Sequence, residues 1–188
     1  RRIGRMSRLP EVSLQSVTSI ELSVRGMRLD TRVCGSESAP IVVLLHGFPD
    51  HPSSFEPLMQ VLAEAGFRAV APTARGYTPA ALAPDGDYRI ETLALDVVGV
   101  LDAFGAPRVH LLGHDWGAVV AHTVGALHAE RLLSLTTLAV PHLARLPGQL
   151  LRRPWLFTAT WYQTFFQLPG LSDWAVQRHD WALVRWLC

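Results

Sequence analysis

The chain has 188 residues, of which 49% are hydrophobic and 18% charged, and its formal net charge is +1. This composition argues against a disordered chain and lacks the basic excess that nucleic-acid binding requires. No apolar run reaches the roughly 18 residues needed to cross a bilayer, so we expect no membrane partner. Two cysteines, Cys34 and Cys188, are too few for a disulfide framework and predict a reduced, cytoplasmic protein.

Short apolar runs alternate with stretches of helical periodicity along most of the chain. Continuous or alternating apolar runs predict strands, and apolar residues at helical spacing predict helices. The predicted strands cover residues 16–24, 27–33, 41–45, 67–71, 109–112 and 132–140, and the predicted helices cover residues 53–65, 90–104 and 117–128. We therefore expect an α/β fold, with an antiparallel hairpin leading into a mostly parallel sheet that has helices on both faces.

Individual residues predict where the helices begin and end. Ser53 or Ser54 would cap the first helix, because a side-chain oxygen can accept a hydrogen bond from a free backbone N–H group. Gly66 and Gly105 would end the first and second helices, since glycine readily takes the left-handed conformation found there.

The segment Gly113-His114-Asp115-Trp116-Gly117 lies between a predicted strand and a predicted helix, which is the context of a nucleophile elbow. Two glycines permit a sharp turn and close packing of strand against helix. Asp115 occupies the position that usually holds serine. A carboxylate is ionised at neutral pH and can attack carbon without a base, leaving an ester that water must then cleave. The alternative is that Asp115 only caps the next helix.

A second motif, His46-Gly47-Phe48-Pro49, ends the buried strand 41–45 and precedes the elbow by 67 residues, from 46 to 113. HGFP together with GHDWG resembles the α/β-hydrolase family and, more narrowly, its epoxide hydrolase branch, from about Ile20 to the chain end. The resemblance implies an oxyanion hole formed by the backbone N–H groups of Phe48 and Trp116. It implies that His46 orients the loop and that His114 hydrogen-bonds behind the nucleophile. The resemblance also implies that Gly47, Pro49, Gly113 and Gly117 have structural roles around the site.

The loop Thr73-Ala74-Arg75-Gly76-Tyr77 resembles the D-x-R-G-Y-G segment of the same branch. Thr73 replaces the acidic residue and Thr78 replaces the last glycine. The resemblance implies that Arg75 has a structural role under the active site, with a partner that differs from the usual one.

The segment Trp161-Tyr162-Gln163-Thr164-Phe165-Phe166-Gln167-Leu168-Pro169-Gly170 resembles the Y-Q-x-x-F-Q-x-P-G run of epoxide hydrolase lids. The resemblance implies that Tyr162 donates a hydrogen bond to the epoxide oxygen, where negative charge develops. Aromatic residues are concentrated between Trp155 and Trp186, as in a lid around an apolar pocket. For most of them, packing in the core of an ordinary helix pair is the simpler interpretation. We expect residues 1–142 to belong to the core domain and residues 143–188 to begin a helical cap.

By resemblance, the protein is a hydrolase that opens epoxides to diols through an ester at Asp115. Tyr162 and a second lid tyrosine hold the oxygen, and a histidine oriented by an acid then activates water. In the family these three further residues follow the lid, so we interpret the chain as an N-terminal fragment that lacks them. The expected partners are water and a small apolar epoxide or alkyl halide, and the oligomeric state stays open. We expect no cofactor and no metal, because the eight histidines show no ligand spacing.

Two alternatives stay open. A haloalkane dehalogenase also uses an aspartate nucleophile, and Trp116 could donate its ring N–H to a halide. However, that family more often has asparagine at the position of Phe48. The second alternative is a non-catalytic remnant of an α/β-hydrolase. A serine esterase is disfavoured because Asp115 occupies the nucleophile position.

Overall fold

The computed structural model describes residues 16–141, 148, 152–153, 155, 161–168 and 170–187. The strands are β1 (Thr18–Val24), β2 (Met27–Cys34), β3 (Ile41–Leu45), β4 (Arg68–Pro72), β5 (Val109–His114) and β6 (Leu132–Leu138). The α-helices are α1 (Glu56–Glu64), α2 (Ile90–Ala103), α3 (Trp116–Leu127), α4 (Trp161–Phe165), α5 (Leu171–Gln177) and α6 (Ala182–Leu187). Short 3₁₀ turns cover Pro52–Phe55, Pro79–Ala81 and Ala129–Arg131.

The six strands form one sheet in the order β1-β2-β4-β3-β5-β6. β1 pairs with β2 and β2 pairs with β4 in antiparallel register, whereas β4, β3, β5 and β6 are parallel to one another. The predicted hairpin and the mostly parallel sheet are therefore confirmed. Because parallel strands end at the same edge, the loops after β3, β4, β5 and β6 meet at one side of the sheet.

Hydrophobic cores lie on both faces of this sheet. Side chains alternate along β3, so that Val43 and Leu45 pack in the cluster that contains residues of α2 and α3. Val42 and Leu44 face the other way, into the cluster that contains Met59 of α1. This arrangement confirms the predicted helices on both faces and explains why β3 reads as an uninterrupted apolar run.

The predicted start of the first helix is wrong. Neither Ser53 nor Ser54 caps α1, because a 3₁₀ turn that begins at Pro52 precedes it and the ring of His51 accepts the N–H of Ser53. Proline suits the first position of a helical turn, since its ring fixes φ and its missing N–H would have no partner there. The predicted helix ends hold, because Gly66 and Gly105 follow α1 and α2 with φ of 85° and 61°.

β6 lies at one edge of the sheet among the described strands. It pairs with β5 on one side, and the leucines at positions 133, 135 and 138 are exposed. An unpaired strand edge presents backbone N–H and C=O groups that can pair with another strand.

The helices between Trp161 and Leu187 are short, and they carry several exposed aromatic residues. The interpretation that these aromatics form the core of a helix pair is wrong for Trp155, Trp161, Trp174 and Trp181, whose side chains are all more than one-third exposed. Short helices of five to seven residues offer too little surface to enclose so many large rings. None of the described helices has the length and apolar character needed to span a membrane.

We predict that Gly117→Ala destabilises the fold by about 3 kcal/mol, the upper range for overpacking. A methyl group at this position would lie 2.1 Å from the carbonyl oxygen of Leu45, which belongs to the sheet and cannot move aside. Urea unfolding followed by circular dichroism measures the change. Gly148→Ala is the matched control because no heavy atom lies within 4 Å of the added methyl group. Equal stability of the two variants would contradict the close approach of α3 to β3.

Candidate active site

Asp115 connects β5 to α3 in a backbone conformation that few residues with side chains adopt. Its φ is 51° and its ψ is −118°, and its carbonyl oxygen accepts the N–H of Ala118 at 2.9 Å as the helix begins. The side chain makes no capping hydrogen bond to α3. The helix-cap interpretation of Asp115 therefore fails, and the turn between strand and helix has the geometry of a nucleophile elbow.

Three glycines allow the elbow and the HGFP loop to approach each other. β3 and β5 are paired so that Leu45 lies opposite Gly113, which brings the residues after both strands side by side. A methyl group on Gly113 would lie 2.3 Å from the carbonyl oxygen of Gly117, and one on Gly47 would lie 2.6 Å from Cβ of Asp115. A side chain at Gly47 would separate the two loops, and one at Gly113 would push α3 away from β5.

The carboxylate of Asp115 receives a backbone hydrogen bond from the neighbouring loop. The N–H of Phe48 donates to Oδ1 of Asp115 at 3.0 Å. Trp116 is the first residue of α3, so its N–H is one of the four at a helix start that have no acceptor within the helix. The N–H groups of Phe48 and Trp116, together with the positive end of the α3 dipole, can stabilise negative charge on an oxygen of residue 115.

His46 is buried behind this loop, and both of its ring nitrogens are hydrogen-bonded. Nε2 accepts the N–H of Ala74 at 3.0 Å, so Nδ1 carries the proton and donates to the carbonyl oxygen of Gly47 at 3.0 Å. Burial lowers the pKa of His46, against a smaller opposing effect of the Gly47 carbonyl. A neutral ring with both nitrogens engaged can fix the loop but has no free lone pair for proton abstraction.

Arg75 is buried under the site, with 1% of its side chain exposed. Its Nε and Nη2 atoms donate to the two carboxylate oxygens of Asp96 at 2.6 and 2.7 Å, and Nη1 donates to Asp85 at 3.2 Å. The hydrogen bonds to Asp96 raise the pKa of Arg75. Thr73, in the place of the acidic residue of the family segment, instead donates its hydroxyl to the carbonyl oxygen of Asp30.

Asp96 was not predicted from the sequence as the partner of Arg75, although a signal was present. Asp96 lies on the apolar face of α2 between Leu93 and Val100, where a charged residue needs a buried partner. A role for Tyr77 was not predicted either; its ring lies edge-on against His46 with 4.6 Å between the ring centroids.

A partly open cavity of about 40 Å³ lies next to Arg75 and is lined by residues such as Val97, Trp116 and Val120. This volume suits one or two water molecules and is too small for an organic substrate. Next to the carboxylate of Asp115, Phe48 and Trp116 are each 43% exposed. Among the described residues, no group of three or more histidine, cysteine or acidic side chains could hold a metal ion.

The helix α4 places aromatic residues next to the HGFP loop. The ring of Phe166 lies edge-on to that of Phe48 with centroids 5.8 Å apart, and the ring of Tyr162 lies 6.3 Å from that of Phe166. Tyr162 is partly buried in this aromatic group.

Among the described residues, the ring of His114 makes no hydrogen bond, and Pro49 is exposed. His142 and Pro169 lie outside the described residues.

The sheet order, the strained elbow and the loop that donates to its carboxylate define an α/β-hydrolase. The family comparison agrees: residues 40–179 match the α/β hydrolase fold family, and the chain belongs to it.

Within this family, the chain is similar to proteins named epoxide hydrolases. It is 38% identical over 158 residues to epoxide hydrolase A of Mycobacterium tuberculosis, covering 81% of this chain and 48% of that protein. It is 40% identical over 162 residues to epoxide hydrolase B of the same organism, covering 77% of this chain and 45% of that protein. The chain therefore spans about half the length of these curated relatives.

A solved structure of epoxide hydrolase A from Mycobacterium thermoresistibile superimposes with a TM-score of 0.72. The two are 29% identical, and the match covers 86% of this chain and 52% of that chain.

We predict that Asp96→Asn destabilises the protein by about 3–5 kcal/mol, because it leaves the buried charge of Arg75 without its main partner. Asp102→Asn is the matched control on the same helix. Its carboxylate is 62% exposed and pairs with Arg131, so its loss is expected to cost no more than about 1 kcal/mol. Thermal and urea unfolding measure both. A similar loss of unfolding free energy in the two variants would show that Asp96 is not the main partner of the buried charge of Arg75.

Proposed function

We propose that this chain carries the nucleophilic part of an epoxide hydrolase, with Asp115 as the nucleophile. The observation that carries the proposal is the carboxylate of Asp115 at the elbow, with the Phe48 N–H donating to one of its oxygens. An elbow with aspartate in place of serine is suited to attack at carbon. The similarity to proteins named epoxide hydrolases supports the same conclusion.

In the first proposed step, the Oδ2 atom of Asp115 attacks a carbon of the epoxide. A new C–O bond forms as the ring C–O bond breaks, and the electron pair of that bond remains on the former ring oxygen. Tyr162 donates a hydrogen bond to this oxygen and supplies its proton, which the phenol regains from water. The product is a hydroxyalkyl ester of Asp115, and no group is lost from the epoxide.

In the second proposed step, water attacks the ester carbonyl and releases the diol. The N–H groups of Phe48 and Trp116 stabilise the negative charge on the carbonyl oxygen. A histidine oriented by an acid would activate the water, and a second tyrosine would assist Tyr162 in the first step. We assign none of these three roles to a residue between 1 and 188.

We propose that residues 1–142 are part of the core domain and residues 143–188 begin its cap. The contact of Phe166 with Phe48 supports a cap that closes over the nucleophile. The aromatic rings there favour a small apolar epoxide as substrate. The low cysteine content supports a cytoplasmic location.

A haloalkane dehalogenase remains the second candidate. The half-exposed Trp116, directly after the nucleophile, supports it because an indole N–H at this position could bind a halide. The two chemistries differ in mass balance. An epoxide adds to Asp115 whole, whereas an alkyl halide transfers only its alkyl group and releases halide.

We predict that incubation with an aryl epoxide raises the intact mass of the protein by the full mass of the epoxide. Asp115→Asn is expected to abolish this adduct, because a neutral amide is a poor nucleophile. Mass spectrometry of the intact protein and of its peptides measures the adduct and its position.

Asp102→Asn is the control and is expected to form the adduct at the wild-type rate, since Asp102 lies on the exposed end of α2. Circular dichroism verifies that each variant is folded. A folded wild-type protein that forms no adduct would contradict the proposed function and favour the non-catalytic remnant. Reaction with an alkyl bromide alone, with bromide release, would favour the dehalogenase.

We predict that Tyr162→Phe slows formation of the epoxide adduct by about 10- to 100-fold, because the developing negative charge on oxygen loses a proton donor. The rate is measured by quenching samples and recording intact mass. Tyr88→Phe serves as the matched control, since among the described residues the Tyr88 hydroxyl accepts only the N–H of Ala83, in an exposed loop. Equal rates in the two variants would exclude Tyr162 as the acid.

A further inference from the structure

The peptide unit that joins Gly47 to Phe48 is held from both sides. Its N–H donates to Oδ1 of Asp115 at 3.0 Å. Its carbonyl oxygen accepts the hydroxyl of Tyr77 at 3.2 Å and the Nδ1–H of His46 at 3.0 Å. In a trans peptide the N–H and C=O groups point in opposite directions. Donors that hold the carbonyl therefore also direct the N–H toward the nucleophile.

The Gly47–Phe48 peptide needs these hydrogen bonds because glycine at position 47 does not restrict its rotation. Gly47 must be glycine to fit against Asp115, and glycine leaves the neighbouring peptide units free to rotate. A rotated unit would turn its carbonyl oxygen toward the carboxylate of Asp115. The partial negative charge of that oxygen would then repel the negative charge of the carboxylate. The hydrogen bond that suits an oxyanion would be lost at the same time.

The hydroxyl of Tyr77 is well suited to this task. Its ring packs against His46, which is itself anchored to the N–H of Ala74. Burial, with the nearby charges of Asp115 and Asp50, raises the pKa of Tyr77 to about 12. The phenol therefore keeps its proton and remains a donor across the whole range in which the protein could act.

We infer that Tyr77 is a positioning residue that orients the Gly47–Phe48 peptide so that its N–H serves the ester-cleaving step at Asp115. The inference rests on the proposed function. Tyr77 acts through the peptide and does not touch the reacting atoms. When Oδ2 attacks the epoxide, Oδ1 becomes the ester carbonyl oxygen, and it gains full negative charge only when a nucleophile attacks that carbonyl. The Phe48 N–H therefore contributes most to the second step.

The first step is expected to respond differently. Before attack, the same N–H stabilises the charged carboxylate and so slightly restrains it as a nucleophile. Loosening the peptide should leave adduct formation unchanged or slightly faster, while ester cleavage slows. A residue that only supports the fold would slow both steps together.

The test is Tyr77→Phe, with the two steps measured separately by intact mass. An aryl epoxide forms the adduct. The unreacted epoxide is then removed, and hydroxylamine is added as the nucleophile. Hydroxylamine attacks the ester carbonyl, the C–O bond to the diol breaks, the diol leaves with a proton, and the hydroxamate of Asp115 remains. We expect adduct formation within about two-fold of wild type and ester cleavage about ten-fold slower, less than the 100-fold or more for complete loss of an oxyanion donor.

Tyr88→Phe is the matched control and is expected to change neither rate, because within the described part of the chain its hydroxyl accepts only the N–H of Ala83. Cleavage at the wild-type rate in Tyr77→Phe would overturn the inference. Equal slowing of both steps, with a lower unfolding midpoint, would also overturn it and leave Tyr77 a structural residue.

A measurement without substrate separates this inference from the proposed function. The Phe48 amide proton is hydrogen-bonded to a carboxylate and should resonate downfield in ¹H–¹⁵N spectra. We expect an upfield shift in Tyr77→Phe and none in Tyr88→Phe. If wild type forms no adduct but this shift occurs, the proposed function fails and the positioning by Tyr77 stands. An unchanged Phe48 amide overturns the positioning whatever the chemistry.

Discussion

The close approach of two backbone segments at the ends of β3 and β5 is the constraint on which the site depends. Gly47, Gly113 and Gly117 meet there, and a methyl group on any of them would lie within 2.6 Å of a neighbouring atom. Only this approach places the Phe48 N–H on the carboxylate of Asp115. The strained φ of 51° at Asp115 is retained because the strand before it and the helix after it fix both ends of the turn.

Polar residues behind the site keep this arrangement in place. His46 connects the loop after β3 to the loop after β4, and Arg75 connects the loop after β4 to α2 through Asp96. Each polar group is buried and engaged, so removing one partner leaves another unsatisfied. The site is therefore supported on the side of the sheet, whereas Phe48 and Trp116 are half-exposed and Phe166, directly after α4, contacts the ring of Phe48.

Much of the fold followed from pattern alone. β3 and the elbow strand β5 were predicted because buried strands read as apolar runs, and the ends of α1 and α2 were predicted from Gly66 and Gly105. The start of α1 was not predicted correctly, because the local sequence permits both serine capping and a proline-led 3₁₀ turn. The exposure of the tryptophans between residues 155 and 181 was not predicted, because hydrophobicity does not reveal how much surface the neighbouring helices provide.

The sequence by itself determined the sheet-and-helix order and the two motifs that surround Asp115. Periodicity and glycine placement are local properties, and they suffice for both. Only the tertiary structure decided which groups these motifs meet: Asp96 for Arg75, Ala74 for His46, and the Gly47 carbonyl for Tyr77. These pairs join residues between 21 and 30 positions apart, and their geometry depends on how loops from different strands converge at one edge of the sheet.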